Sequence, residues 1–200
     1  MVARFRICPI CGSVLSGTET HLECKKCRNH FVFDVNCDVW RNPNIMDVSY
    51  KDSKSAVLST LFPHRFTLKT AYGMKTYNSI EGFLLTICWP GADIGIYDEL
   101  SRLSGVDALK ARSVLPNWRD SQCVTWNRKV IARNSVEYAE MLKYVFHEVF
   151  EQSHLFRLAL MKSRGKILMN TSGESDKTKA LITSEEFLTL LNREREKIII

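Results

Sequence analysis

Glycine, proline and long apolar runs are scarce in this sequence. Its 200 residues include only 9 Gly and 5 Pro, and 45% are hydrophobic, which excludes collagen-like and wholly disordered chains. No stretch of about 18 apolar residues occurs, so we expect no membrane span and no membrane partner. Neither charge sign dominates. The net charge of +6, from 28 Lys and Arg against 22 Asp and Glu, suits an anionic partner such as a nucleotide or nucleic acid without selecting one.

The chain has seven cysteines, an odd number, and its first residues, MVARFRICPICG, lack the apolar segment of a secretory signal. Both features favour a reducing compartment, and we expect the cytoplasm. Four of the cysteines form two Cys-x2-Cys pairs that are separated by twelve residues. Each pair lets two thiolates of one turn bind an ion, and a hairpin between the pairs completes a tetrahedron. We therefore predict structural Zn²⁺ held by Cys8, Cys11, Cys24 and Cys27.

The metal pattern resembles a zinc ribbon, a small β-hairpin module, and a protein partner that docks on it is one expectation for this chain. His21 and His30 are rival ligands, but four thiolates already fill a tetrahedral site. A nucleic-acid role for this module has less support, because its Lys and Arg residues are largely offset by acids. So small a module buries little apolar surface, and we expect the metal to supply much of its folding free energy.

The rest of the chain is dominated by helical patterns. We predict an α+β, mostly helical domain over residues 56–200, joined to the zinc module (1–36) by a polar linker (37–55). Three capping boxes mark helix starts, at Asn78-x-x-Glu81, Asn134-x-x-Glu137 and Thr183-x-x-Glu186. An apolar stripe from Tyr138 to Phe150 indicates a core helix. The segments 66–68 and 74–77 suggest a hairpin before the first long helix.

Several segments follow, in order, the pattern of one known family. They are LSTLFPHRFTL (58–68), YNSIEGFLLTICW (77–89), Arg133-x-Ser135-x-Glu137-Tyr138, Phe156-Arg157-x-Ala159-Leu160 and LITSEEF (181–187). Residues 56–195 thereby resemble the NADAR family, whose characterised members are N-glycosidases. The resemblance implies a NADAR-like fold and cleavage of the N-glycosidic bond of a ribosylated or ADP-ribosylated nucleobase.

Glu81 is the residue that the resemblance makes central. One helix stripe carries Glu81, Leu85 and Cys88 where that family has Glu, Gln and Lys. Cys88 cannot form a Schiff base, and in an apolar stripe its thiol should stay protonated and inert. Thr60 also replaces an asparagine. Glu81 can still supply the carboxylate that an oxocarbenium-like centre requires, so it is our catalytic candidate.

Four further residues are candidates for substrate binding. Ser79 belongs to the same motif as Glu81, Trp118 or Trp126 can stack on a base, and Arg133 can bind a phosphate. Each also has an ordinary structural explanation. A capping role alone would explain Glu81, a packing role in the core would explain the tryptophans, and a bridging role would explain Arg133.

Two hypotheses about function remain open at this point. In the first, the chain is an N-glycosidase that uses Glu81 and acts on a ribosylated base or ADP-ribosylated nucleic acid. In the second, it is a catalytically degenerate module that binds a nucleotide, nucleic acid or protein partner without turnover. Leu85 and Cys88 motivate the second hypothesis, because they make the site drier and less reactive.

Overall fold

The computed structural model describes residues 8, 11, 13–18, 21–34, 39–41, 44–49, 56–89, 94–113 and 118–198. The chain divides into two compact units, one formed by residues 1–46 and 165–168 and the other by residues 47–164 and 169–200. The described residues have a mixed α/β architecture with seven α-helices and several small sheets. None of these helices is both long and apolar enough to span a bilayer.

The smaller unit is built on a four-stranded antiparallel sheet. In sheet order its strands are β1 (Ser16–Gly17), β2 (His21–Glu23), β3 (His30–Asp34) and β4 (Val39–Arg41). Gly17 has φ +143°, and a Cβ there would lie 2.2 Å from the carbonyl oxygen of His21, so only glycine fits the turn. Leu15, Leu22 and Phe31 are the buried aliphatic and aromatic side chains beside the cysteines, a core too small to stabilise the unit by itself.

The predicted linker is partly strand. Within residues 37–55, β4 and β5 (Ile45–Asp47) are regular, and β5 pairs with β10 (Ile167–Met169). The other residues of that segment lie outside the described part, apart from 44 and 48–49. The polar composition that favoured a linker does not exclude short strands, whose backbone groups are satisfied by pairing rather than by side chains.

The larger unit places two hairpins among the helices. Its remaining elements are β6 (Phe66–Thr70), β7 (Gly73–Tyr77), α1 (Ile80–Ile87), α2 (Ile94–Ser101), α3 (Gly105–Arg112), α4 (Trp118–Ser121), β8 (Cys123–Trp126), β9 (Lys129–Ala132), α5 (Val136–Gln152), α6 (His154–Lys162) and α7 (Ser184–Glu196). A single 3-10 turn, Ala56–Leu58, precedes β6. The β6–β7 hairpin and the mostly helical character of this unit agree with the sequence prediction.

Two of the three predicted helix caps are displaced by one residue. Ser79 caps α1 by accepting from the Gly82 N–H, and Ser135 caps α5 by accepting from the Tyr138 N–H. Asn78 instead donates its side-chain amide to the carbonyl of Arg102, at 2.8 Å. The third prediction is confirmed, because Thr183 and Glu186 form a complete capping box on α7. Adjacent residues that both cap well cannot be ranked from the sequence.

The core of the larger unit is organised around α5. Its apolar stripe is buried along its whole predicted length, through Tyr138, Met141, Leu142, Val145, Phe146, Val149 and Phe150. On α1 every residue from Ile80 to Ile87 is buried, so this helix runs through the interior rather than along the surface. Charged residues on α1 therefore require partners.

Candidate functional site

The four predicted metal ligands lie together in the smaller unit. The sulfur atoms of Cys8, Cys11, Cys24 and Cys27 all lie within 4.8 Å of one another. Two of these separations are 3.5 Å (Cys8 to Cys27) and 3.4 Å (Cys11 to Cys24). Tetrahedral thiolates about 2.3 Å from a metal would be about 3.8 Å apart, so the cluster has the dimensions of a metal site.

The surroundings of Cys11 and Cys27 favour their thiolate forms. Hydrogen bonds from the side chain and backbone of Ser13 lower the pKa of Cys11 to about 6. The side chain of Asn29, 3.3 Å from the sulfur of Cys27, lowers the pKa of that thiol. The arrangement is compatible with a bound metal ion, which requires deprotonated sulfur.

A cavity of about 640 Å³ lies in the larger unit. Its walls come from the segments 48–49, 59–61, 109–112, 118–119 and 170–187. The side chains that matter most for chemistry are Thr60, Arg112, Trp118, Arg119, Glu174 and Lys179. A cavity of this volume is within the range of small-molecule and cofactor sites.

Glu81 lies just behind the wall of this cavity. Its side chain is fully buried, and one carboxylate oxygen accepts from two nitrogens of Arg112, with Nε at 2.8 Å. The other oxygen accepts from the Thr60 hydroxyl at 3.1 Å, and the Glu81 N–H donates to the Thr60 carbonyl. Thr60 and Arg112 both line the cavity, so the carboxylate is separated from it by these two side chains.

The other two positions of the Glu81 stripe are apolar core. Leu85 is fully buried in a cluster with Leu61, Leu100 and Ala108. Burial, followed by the neighbouring Glu81 charge, raises the pKa of Cys88 to about 12. The thiol therefore stays protonated at neutral pH, as expected from its surroundings, and is a poor nucleophile.

Trp118 is the predicted binding residue that the structure places at the cavity. It lies at the start of α4, with the guanidinium of Arg119 5.8 Å from its ring centroid. Arg119 Nε donates to the carbonyl of Lys179 at 3.1 Å, and the Gln122 amide donates to that of Thr178 at 3.0 Å. These bonds fix α4 against the loop that carries Lys179.

Ser79 and Trp126 lie elsewhere in the fold. The Ser79 hydroxyl is fully buried, accepting from Gly82 and donating to the Leu103 carbonyl at 2.7 Å. Trp126 packs edge-on against Phe83, with the ring centroids 5.1 Å apart. Neither residue lines the cavity. Their contacts are those of a helix cap and a packing residue, and they give no support to the substrate-binding roles predicted for them.

Arg133 has the contacts of the bridging residue that was the alternative to phosphate binding. Only 2% of its side chain is exposed, and its guanidinium forms a two-bond ion pair with Glu186, at 3.0 and 2.5 Å. It also donates to the Ala180 carbonyl and lies 4.7 Å above the Tyr138 ring. Its donors are thus committed within the fold, and a phosphate-binding role finds no contact to support it.

The sequence interpretation missed the cations of the cavity, which are Arg112, Arg119 and Lys179. Arg112 meets Glu81 across 31 positions of the chain, so no local pattern identifies the pair. Arg119 follows Trp118 directly, and a cation beside a candidate stacking residue was the one available signal. The residues of the 170–182 loop had no periodicity from which to predict their position.

The family described as Bacteriophage protein GP30.3 matches residues 52–196, and the chain therefore belongs to that family. This finding corrects the resemblance to the NADAR family, which is wrong as an assignment. The scattered matches around Leu58, Glu81 and Phe156 were in the expected order, but they are short and of common residue types. No curated protein and no solved structure matches the chain.

Proposed function

We propose that the cavity of the larger unit binds a phosphorylated nucleotide. The observation that supports this proposal is that three cations, Arg112, Arg119 and Lys179, line the same cavity of about 640 Å³ as Trp118. Cations attract phosphate groups, and a tryptophan offers a face on which a base can stack. Glu174 is the acid on the same wall, and it suits the hydroxyl groups of a ribose better than a phosphate.

In this proposal Glu81 positions Arg112. A fully buried carboxylate is costly unless paired, and Arg112 pairs it while 46% of its own side chain stays exposed. The bonds from Nε and one terminal nitrogen of Arg112 to Glu81 fix the guanidinium plane. The remaining terminal nitrogen and its donors are then available to an anion in the cavity.

Two lysines of one loop provide a matched test. Both lysines are exposed and each pairs with an acid, Lys179 (65% exposed) with Asp176 at 3.3 Å and Lys177 (58% exposed) with Glu186 at 3.6 Å. Of the two, Lys179 lines the cavity and Lys177 does not. We expect calorimetric titration with ADP to give saturable binding to the native protein. Lys179→Gln should weaken it about threefold to tenfold, the usual loss for a charge-assisted hydrogen bond, and Lys177→Gln should leave it unchanged. Absence of saturable binding of both ADP and ADP-ribose would overturn the proposal.

N-glycosidic cleavage is the second candidate, supported by the contacts of Glu81 with two cavity-lining residues. In such a reaction water adds to C1′ of the ribose, the C–N bond breaks, and the base leaves with a proton. Glu81 would reach the sugar only if Arg112 turned aside, which is why binding ranks first. Incubation with ADP-ribosylated guanine nucleotides tests this candidate. Release of ADP-ribose that is lost in Glu81→Gln supports it, and equal release from both proteins removes it.

We also propose that the cysteine cluster holds structural Zn²⁺. Four thiolates are the ligand set that Zn²⁺ prefers in structural sites, and they leave no position for water or substrate. A four-thiolate site also suits the reducing cytoplasm, where such sulfurs stay unoxidised. Elemental analysis should find one zinc per chain, and chelation should unfold the smaller unit. Another metal, or a unit that keeps its structure after chelation, would contradict this. That a protein partner docks on this module stays a prediction.

A further inference from the structure

The tips of two hairpins in the larger unit form a basic, aromatic surface separate from the cavity. Residues 66–77 and 123–134, which make up the two hairpins and their flanks, contain five Lys or Arg and no Asp or Glu. Two of the five are used within the fold, since Lys75 pairs with Asp98 and Arg133 with Glu186. The other three, Lys69, Arg128 and Lys129, are exposed and form no ion pair with a residue that the structure describes.

The two tips are held together. The Ala71 N–H in the first turn donates to the side-chain oxygen of Asn127 in the second, at 2.8 Å. The guanidinium of Arg128 lies 4.8 Å from the ring centroid of Tyr72, and 57% of Tyr72 is exposed. The tips therefore present one aromatic ring and several cations as a single surface. We call Lys69, Tyr72, Met74, Arg128 and Lys129 the hairpin-tip surface.

The backbone of the second turn holds Arg128 in an unfavourable conformation. Asn127 and Arg128 have φ of 50° and 65°, the left-handed pair of a two-residue hairpin turn. Glycine is the usual second residue of such a turn, because a side chain costs about 1 kcal/mol or more in this region. An arginine at this position therefore lowers the stability of the fold while it fixes a cation beside Tyr72. Backbone strain of this kind is typical of functional sites.

An exposed apolar side chain completes the surface. Met74, 68% exposed, lies opposite Lys69 in the β6–β7 register. Exposed aromatic and apolar groups among cations suit unpaired bases together with their phosphates, whereas a duplex hides its base faces. The absence of acids in both hairpins favours a polyanion over a protein surface of mixed charge.

We propose that the hairpin-tip surface binds single-stranded nucleic acid, with Tyr72 stacking on a base and Lys69, Arg128 and Lys129 contacting phosphates. This proposal does not depend on nucleotide binding in the cavity. Excess ADP should therefore fail to displace the strand.

Fluorescence anisotropy with a labelled oligonucleotide of about 15 nucleotides, which exceeds one binding site of this kind, tests the proposal on the full chain. Each phosphate contact on a single strand contributes about −0.7 to the slope of log K against log salt, so three cations predict a slope near −2. In Lys129→Gln the slope should become shallower, about −1.4. Lys162 is an exposed lysine at the end of α6, and Lys162→Gln should leave the slope unchanged. Tyr72→Ala should weaken binding about tenfold, and Tyr72→Phe should retain it.

Arg128→Gly separates a binding role from a purely structural one. The glycine relieves the left-handed strain, so the melting temperature should be unchanged or higher while the affinity falls about threefold to tenfold. A lower melting temperature with unchanged affinity would show that Arg128 only ties the hairpins, and would overturn its role. Equal affinity in all hairpin variants, or loss of binding only in Lys25→Gln and Lys26→Gln of the smaller unit, would overturn the whole proposal. Tighter binding of a duplex than of a single strand would do the same.

Discussion

Two arginine–glutamate pairs of the larger unit differ in which member is buried. In the first, Glu81 is fully buried and Arg112 keeps 46% of its side chain exposed at the cavity. In the second, Arg133 is 2% exposed and the carboxylate of Glu186 is 24% exposed. The same two residue types therefore present a cation in one place and enclose it in the other.

The buried member of each pair determines what the pair does. Buried Glu81 holds an exposed guanidinium in a fixed orientation, which suits ligand binding. Buried Arg133 directly follows β9, and it bonds instead to the Ala180 carbonyl and to Glu186 in the capping box of α7. These contacts suit stability alone. Removing the exposed member of either pair leaves the buried charge without the oppositely charged member of its pair.

The largest expected effect is that of Arg112→Met. At neutral pH it should lower the free energy of unfolding by about 3–5 kcal/mol, because Glu81 is left as a buried charge with only Thr60 to bind. Urea unfolding followed by circular dichroism measures this loss. Arg102→Met, an exposed arginine outside the cavity wall, is the control. A loss below about 1 kcal/mol would show that Glu81 is not held as a charged group by Arg112.

Glu186→Gln likewise removes the charge of the exposed member of the second pair. It should lower the free energy of unfolding by somewhat less, about 2–3 kcal/mol. The buried cation of Arg133 keeps the Ala180 carbonyl and the Tyr138 ring, and the new amide can still accept one bond. The same urea experiment measures it, and Glu185→Gln on the exposed neighbouring position is the control. An effect on ADP affinity in the folded variant would contradict the purely structural role of this pair.

Glu81→Gln should have a smaller effect on stability, about 1 kcal/mol, because the arginine that it leaves is half exposed and hydrated. Its effect on binding should be larger than that of Glu186→Gln, since Arg112 loses its fixed orientation. We expect ADP affinity to fall about threefold to tenfold in calorimetric titration. Unchanged affinity would mean that Arg112 does not need Glu81 to bind the ligand.

The second pair should also make the protein sensitive to acid. Partial burial would raise the pKa of Glu186, but hydrogen bonds from Arg133 and the Thr183 backbone outweigh it and lower the pKa to about 2. Because the folded pKa lies below the ordinary value of 4.5, this stabilisation is complete above pH 4.5 and is lost as the pH falls towards 2. Unfolding free energies measured across this range should fall more steeply for the native protein than for Glu186→Gln. Parallel curves would contradict the assignment.

Features that depend on local sequence were predictable. The two Cys-x2-Cys pairs, the buried stripe of α5 and the capping box at Thr183 follow from spacing over a few residues, and all are present. The caps at Ser79 and Ser135 were missed by one position, since the neighbouring asparagines cap as well.

The cavity depends on contacts between distant segments and could not be predicted. Glu81 was identified, but its partner Arg112 lies 31 positions away, and the 170–182 loop reaches the site without any regular pattern. Trp118 and Trp126 were equivalent in the sequence, and only the fold places one at the cavity and the other against Phe83.

These two tryptophans give the most direct test of nucleotide binding in the cavity. Their indole N–H signals can be followed by two-dimensional NMR during titration with ADP, and Trp118→Phe assigns the critical one. We predict a saturable shift of the Trp118 signal and no comparable shift of the Trp126 signal. A Trp118 signal that stays in place at saturating ADP, or a shift confined to Trp126, would contradict the account.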